Sequence, residues 1–449
     1  MPIAVSPERP RSGITRLTGA RLVKGDDLVE EDLWISSVTG KILNSQEVFY
    51  GHGVVPDEVI DLKGKIITPG FLDVQFNGAF GFDFSTIPED VPGDIDGGMA
   101  SYAKGLGRLN RKLVHTGVTS YLPTLPSQKS EVYHKALKYL GPSGTSRNAL
   151  EGSESLGAHC EGPFISPTKN GIHNQGVLQE ANDGFLTMEA CYGRSCFPEA
   201  IDAQYGEKSP ISLVTLAPEV PGVALAIPEL VKRGIRVAIG HTEATYEDAK
   251  QAISLGVTMI THLFNAMRPL HHRNPGIFGV LGQAEGEHRP YYGVIADGIH
   301  LHPTSVKIAW NANPEGFTLV TDAMKTVGLP DGIYDWTNGD KWVKKGPLLT
   351  RYGEPDKIAG SSATLIECVN NFWNWSNASI PEVIRSVTRT PAKMLGLESV
   401  KGSLSPNADA DLLALDIVQG EDGNKKFVID RVWKFGMLVH DNSDEKFGL

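Results

Sequence analysis

The chain has 449 residues, 41% hydrophobic and 21% charged, with a formal net charge of −11. This is ordinary globular composition. It excludes a disordered or collagen-like chain and argues against a nucleic-acid binder with a diffuse basic surface, so an anionic ligand has to be held by a local cluster of donors. No apolar run reaches the roughly 18 residues of a membrane span, and the N-terminal MPIAVSPERPRSGITRL lacks an apolar signal-peptide core. The four cysteines, Cys160, Cys191, Cys196 and Cys368, form no Cys-x-x-Cys pair. Neither a zinc knuckle nor a disulfide framework is indicated, and a cytoplasmic protein is expected.

Taken in order, residues 1–13 read as a loosely ordered tail. Residues 14–64 hold short strand-like pieces, TRLTGARLVK and EDLWISS. Val- and Ile-rich runs then recur at 65–75, 118–125, 155–161, 211–219, 235–241, 257–262, 291–300 and 317–322, which is how strands buried on both faces read. Helix-like segments separate them. Met99, Tyr102, Leu106, Leu109 and Leu113 form one apolar stripe. Thr245 can cap a helix that Gly256 stops, and Pro381 suits the first turn of another.

The Gly/Ser-rich stretch 141–155 reads as a surface loop, and 327–357 as a long, lid-like loop. Residues 398–449 return to strand-like pieces, ADLLALD and FVIDRVWKFGMLV. The alternation predicts an α/β fold: a (β/α)₈ TIM-like barrel over 65–397, with 14–64 and 398–449 pairing into a small β-sandwich.

In such a barrel the chemistry lies where strands end. The first run ends in Gln75 and Asn77, the third in Glu161, the fifth in His241 and the sixth in His262. The seventh supplies Asp297 and His300, and the eighth Asp322. Glu161, His241 and His262 have the composition of a catalytic metal site with three protein ligands. Asp322 fits two roles, a proton acceptor for an attacking water or a partner orienting a metal-bound histidine. The segment THLFNAMRPLHHRNPG (261–276) offers Asn265, Ala266 and Arg273 to a phosphate or carboxylate, or is a solvated basic loop. His173, on a glycine-flanked loop, is equally readable as structural or ligand-contacting. P-loop and Gly-x-Ser-x-Gly signatures are absent.

Together, ITPGFLDVQFNG, HCEGPFISPTKNGIHN, GHTEAT, THLFNAM, ADGIH, LVTDA and IAGSSATL resemble the N-acetylglucosamine-6-phosphate deacetylase family of the amidohydrolase superfamily, in a eukaryotic-type form with longer loops. The resemblance spans about residues 14–440. It implies a hydrolase that releases acetate from N-acetylglucosamine 6-phosphate in amino-sugar catabolism. One divalent metal, zinc or else cobalt, iron or manganese, is expected on Glu161, His241 and His262. It implies Asp322 as general base and then general acid, and His300 polarising the acetyl carbonyl. Asn265, Ala266 and Arg273 match phosphate-holding positions, while Ile358, Ala359 and Gly360 match a segment closing over the sugar. Asp297 joins the substrate contacts. Ile172 and His173 match a substrate loop that relatives extend into a neighbouring subunit, so a homodimer is expected.

Where many amidohydrolases carry His-x-His, this chain reads Gln75-Phe76-Asn77, and the fourth strand lacks a bridging lysine. Both departures favour one metal, with Gln75 touching either a weak second metal or a water. A cyclic-amide hydrolase and an inactive scaffold barrel are the competing readings.

Overall fold

The computed structural model describes residues 12–51, 53–88, 98–198, 208–282, 289–336, 340–421 and 423–443. Most of the expected 1–13 tail therefore lies outside the described residues. Eight parallel strands make the barrel: Phe71–Phe76, Val118–Pro126, Ala158–Glu161, Ile211–Leu216, Arg236–Ile239, Met259–Ile260, Tyr291–Ile295 and Phe317–Val320. Seven of them send an apolar side chain into a common cluster, formed by Val74, Leu122, Leu213, Ala238, Met259, Ile295 and Val320 with Met394. The third strand brings His159 instead, fully buried and within hydrogen-bond reach of Thr124 and Thr215.

The helices follow the physical signals of the sequence. Met99–Leu113 buries Met99, Tyr102, Leu109 and Leu113 against the barrel. Tyr246–Ser254 starts at a reciprocal box between Thr245 and Asp248, satisfying donors that the first turn leaves open. Ile380–Arg385 begins with Pro381 in its first turn.

Two further sheets are built from the chain ends. One has four strands between Ile14 and Asp61. The other has six and joins Arg21–Lys24 and Asp27–Glu30 to Leu412–Gln419, Lys425–Lys434 and Met437–Asp441 through Ile66–Pro69. Leu17, Leu22, Leu33, Ile35, Ile67, Leu412 and Trp433 form the core between them. The single run expected at 65–75 is thus two strands. Ile66–Pro69 pairs with Leu412–Leu415 and Phe71–Phe76 enters the barrel. Gly70 permits the crossing, because a Cβ there would meet Thr119 at 2.2 Å.

Two loop expectations fail. The stretch 327–357 contains most of a four-stranded antiparallel sheet, Gly332–Asp335, Lys341–Lys345, Leu348–Arg351 and Glu354–Ser361, with Trp336 stacked on Trp342 at 4.1 Å. Gly346 and Gly353, both left-handed, mark tight connections between its later strands. The stretch 141–155 is not surface throughout, since Glu154 is buried in an ion network. Lys434 Nζ lies 2.6 Å from Glu154 and 2.8 Å from Asp411, and Lys401 Nζ lies 2.7 Å from Asp411 and 2.8 Å from Asp409. Burial opposes ionisation of Asp411, but Lys401 and Lys434 outweigh it and hold the carboxyl well below its usual range. All four cysteines are buried and unpaired. Among the described residues no helix is long and apolar enough to cross a membrane.

Lys434→Ala should lower stability by about 3–5 kcal/mol, because it leaves buried carboxylates uncompensated. Lys24→Ala, which breaks the exposed pair with Glu31, should change it little. Urea unfolding midpoints check both. Since the Asp411 pKa is depressed, the network's contribution is complete above about pH 4 and is lost as pH falls.

Candidate active site

Three residues occupy the same place relative to their strands. His241, His262 and Asp322 each stand two positions beyond the end of the fifth, sixth and eighth strand. Each has a left-handed backbone, with φ of 49°, 31° and 48°. Such a conformation costs a side-chain-bearing residue about 1–3 kcal/mol. All three side chains line one cavity of about 280 Å³ at the C-terminal mouth, together with Glu161 from the end of the third strand.

Glu161 Oε1 lies 3.1 Å from His241 Nε2 and 3.0 Å from His262 Nε2, and the two nitrogens are 2.9 Å apart. His241 Nδ1 is 2.8 Å from the Lys169 carbonyl, which only accepts. Nδ1 is therefore the donor in that contact, and Nε2 is turned toward Glu161 and His262. Burial works against the Glu161 carboxylate, but the two imidazoles outweigh it and keep the group ionised. Two buried imidazole Nε2 atoms and a carboxylate oxygen within 3.1 Å of one another are the donor set of a divalent cation of the His₂-carboxylate class. A second acidic group, Glu154 with Asp409 and Asp411, does not, because Lys401 and Lys434 already supply its counter-charge.

Asp322 is half-buried among these groups. Burial first, then the charge of Glu161, pushes its pKa up to about 6, against the pull of His262 and Asn77. Asn77 Nδ2 donates to Asp322 Oδ1 at 2.7 Å and leaves Oδ2 for another partner. Beneath the cavity, His159 Nε2 is 2.7 Å from Thr215 Oγ1, which is 2.6 Å from Thr261 Oγ1. Burial drives the His159 pKa down to about 4, so this layer is neutral.

His300 also lines the cavity. Its Nδ1 is 2.7 Å from Asp297 Oδ2, and Asp297 accepts the backbone N–H groups of Ile299 and His300 as well. Asp297 thus sits behind His300 and is not part of the cavity wall, contrary to the expected substrate contact. Gln75 is likewise behind Glu161, donating from Nε2 to Oε1 at 3.1 Å, while its own Oε1 is buried without a partner.

Ile172 and His173 line the cavity of their own chain. His173 Nδ1 accepts the Ser127 N–H at 3.1 Å, its ring lies 4.4 Å from that of His241, and burial lowers its pKa to about 3. The loop thus packs His173 onto its own barrel while Ile172 stays exposed. Asn265, Ala266, Ile358, Ala359 and Gly360 complete the wall. Arg273 does not reach it; the side chain is exposed, with Nη1 3.0 Å from His272. Sequence reasoning passed over Asn77 as a ligand of Asp322, and it missed Met324, Ile295 and Pro126 in the wall. The position of Asn77, two residues after Gln75 at the mouth of the first strand, was the available signal. The apolar three carry none.

The amidohydrolase family model matches residues 66–439. The N-acetylglucosamine-6-phosphate deacetylase of Rattus norvegicus is 38% identical over 405 residues, covering 90% of this chain and 92% of the relative. That of Danio rerio is 39% identical over 407 residues, covering 90% and 93%. Among solved structures, a mutant of the Mycobacterium smegmatis N-acetyl-D-glucosamine-6-phosphate deacetylase, in complex with N-acetyl-D-glucosamine-6-phosphate, is similar with a TM-score of 0.73 at 25% identity, covering 96% of this chain and 100% of that one. With a buried His₂-carboxylate cluster at its barrel mouth and these relatives along nearly its whole length, the chain belongs to the amidohydrolase family, in its N-acetylglucosamine-6-phosphate deacetylase branch.

Proposed function

We propose that the chain hydrolyses the acetamide of N-acetylglucosamine 6-phosphate to glucosamine 6-phosphate and acetate. The observation that carries this reading is the convergence of Glu161, His241 and His262 beside Asp322 on one enclosed wall. Glu161, His241 and His262 would hold one divalent metal, zinc being the first choice and cobalt, iron or manganese also compatible with the donors. When bound, such an ion supplies Lewis acidity and lowers the pKa of water toward ~7.

The protein's own groups account for the rest. Asp322, oriented by Asn77, takes the proton of the attacking water at its free oxygen and passes it to the leaving nitrogen. His300, held through Nδ1 by Asp297, has Nε2 free to donate in its protonated form to the acetyl oxygen. The backbone at Asn265 and Ala266 receives the phosphate, and Ile358, Ala359 and Gly360 cover the sugar. Binding energy from the phosphate positions the amide. Gln75 orients Glu161 rather than binding a second metal. Arg273, exposed and turned away from its own cavity, would be available to a phosphate in a neighbouring subunit of a homodimer. Residues 14–64 and 398–449 act as a buttressing β-domain, and the enzyme works in the cytoplasm.

Acetate release from N-acetylglucosamine 6-phosphate should vanish with chelator and return with added zinc; chelator-insensitive release excludes the metal reading. Asp322→Asn should fold and keep its metal while kcat falls by about 10²–10⁴, as steady-state kinetics and metal analysis will show. Arg273→Ala should lower kcat/KM for the phosphorylated substrate far more than for N-acetylglucosamine, and equal losses would remove its phosphate role.

A further inference from the structure

Seven of the eight seams between barrel strands are parallel ladders with defined register. The eighth, between Phe317–Val320 and Phe71–Phe76, is different. Its backbone contacts come after the last strand has ended. Phe76 bridges Ala323, the Asp322 N–H donates to Gln75 O at 2.9 Å, and the Asn77 N–H donates to Ala323 O at 2.9 Å.

Below these contacts the seam is spanned by a side chain. Asp73 Oδ2 accepts the Thr321 hydroxyl at 2.6 Å, and Oδ1 accepts the backbone N–H groups of Thr321 and Gln75, each at 3.3 Å. Asp73 and Thr321 are 1% and 2% exposed. No lysine or arginine acts on Asp73 among the described residues. Burial pushes the Asp73 pKa up to about 7 against these hydrogen bonds, and filling space in a strand does not require a carboxyl group there. What this carboxylate does is hold both donors of the residue that precedes Asp322. Asp322 itself sits at φ 48°, a conformation its neighbours must enforce. Asn77 fixes one of its oxygens from above, and the seam fixes its backbone from below.

We propose that Asp73 and Thr321 are a positioning pair for the hydrolysis: they lock the open seam of the barrel so that the Asp322 carboxylate is aimed at the reacting water, without themselves touching substrate. The proposal rests on Asp322 as the proton-transfer group.

The test compares Thr321→Val, which removes the hydroxyl at nearly constant volume, with Thr321→Ser, which restores it without the methyl. Kinetics, metal content and unfolding midpoints are measured on the metal-loaded full chain. Thr321→Val should lower kcat by ~10–100-fold, the usual effect of a small misplacement, with KM within about twofold of wild type and metal content unchanged. Thr321→Ser should recover kcat to within about threefold although it packs less well. In the Asp322→Asn background, Thr321→Val should cost nothing further in kcat, since the group it positions is gone. Wild-type kcat in Thr321→Val, failure of Thr321→Ser to rescue, or a full additional loss in the double variant would each overturn the proposal. Should Thr321→Val not fold, Asp73→Asn takes its place with the same kcat–KM split expected, and a wild-type kcat there is equally fatal. Full turnover in Asp322→Asn alone would instead bring down the assignment of Asp322, so the two failures are separable.

Discussion

One carboxylate oxygen, Oε1 of Glu161, receives His241 Nε2 at 3.1 Å, His262 Nε2 at 3.0 Å and Gln75 Nε2 at 3.1 Å. Everything at the barrel mouth is arranged to make that crowding tolerable. The Lys169 carbonyl sets the His241 tautomer, and the Glu161 charge is balanced by imidazoles rather than by a lysine or arginine. A fixed ammonium there would fill the place of an exchangeable cation, as Lys401 and Lys434 do in the acidic cluster between barrel and terminal sheets. The two buried charge clusters thus differ in kind. One is closed by the chain's own cations and serves cohesion; the other surrounds its carboxylate with imidazoles, the donor set of a divalent cation.

The low dielectric around Glu161 also shapes its neighbours. Its charge, added to burial, raises the Asp322 pKa to about 6, while burial keeps His159 and His173 neutral. A carboxylate poised in this way is suited to accepting a proton and giving it up again. Below the site the barrel interior turns apolar, from Val74 to Val320, so water has no reason to penetrate from beneath.

Backbone strain is concentrated where the chemistry is. His241, His262 and Asp322 share a left-handed turn two residues past a strand end, and in each case the turn directs a polar side chain into the mouth. Parallel strands lend themselves to this because their ends are staggered by the barrel's twist and their loops are free to diverge. At the eighth seam, where ladder bonds give way to Asp73 and Thr321, the same economy of backbone pairing leaves the position of Asp322 to side chains.

The sequence by itself determined the alternation of buried strands and amphipathic helices, the cap at Thr245, the first-turn proline Pro381, and the recurrence of polar residues at strand ends, because each is a local pattern of burial or hydrogen bonding. It named Glu161, His241, His262 and Asp322, and of the wall Asn265, Ala266, Ile358, Ala359 and Gly360, through motif and position. Tertiary structure decided what depends on contacts between distant segments. It split the run at 65–75 between two sheets, folded most of the described residues of 327–357 into strands rather than a loop, and buried Glu154 against Lys401 and Lys434. It also placed Asp297 and Gln75 behind the residues that face the cavity and turned Arg273 away from it. The physical reason is the same in each case: periodicity records which side of an element is buried, but which charge meets which is settled only when elements hundreds of residues apart close on one another.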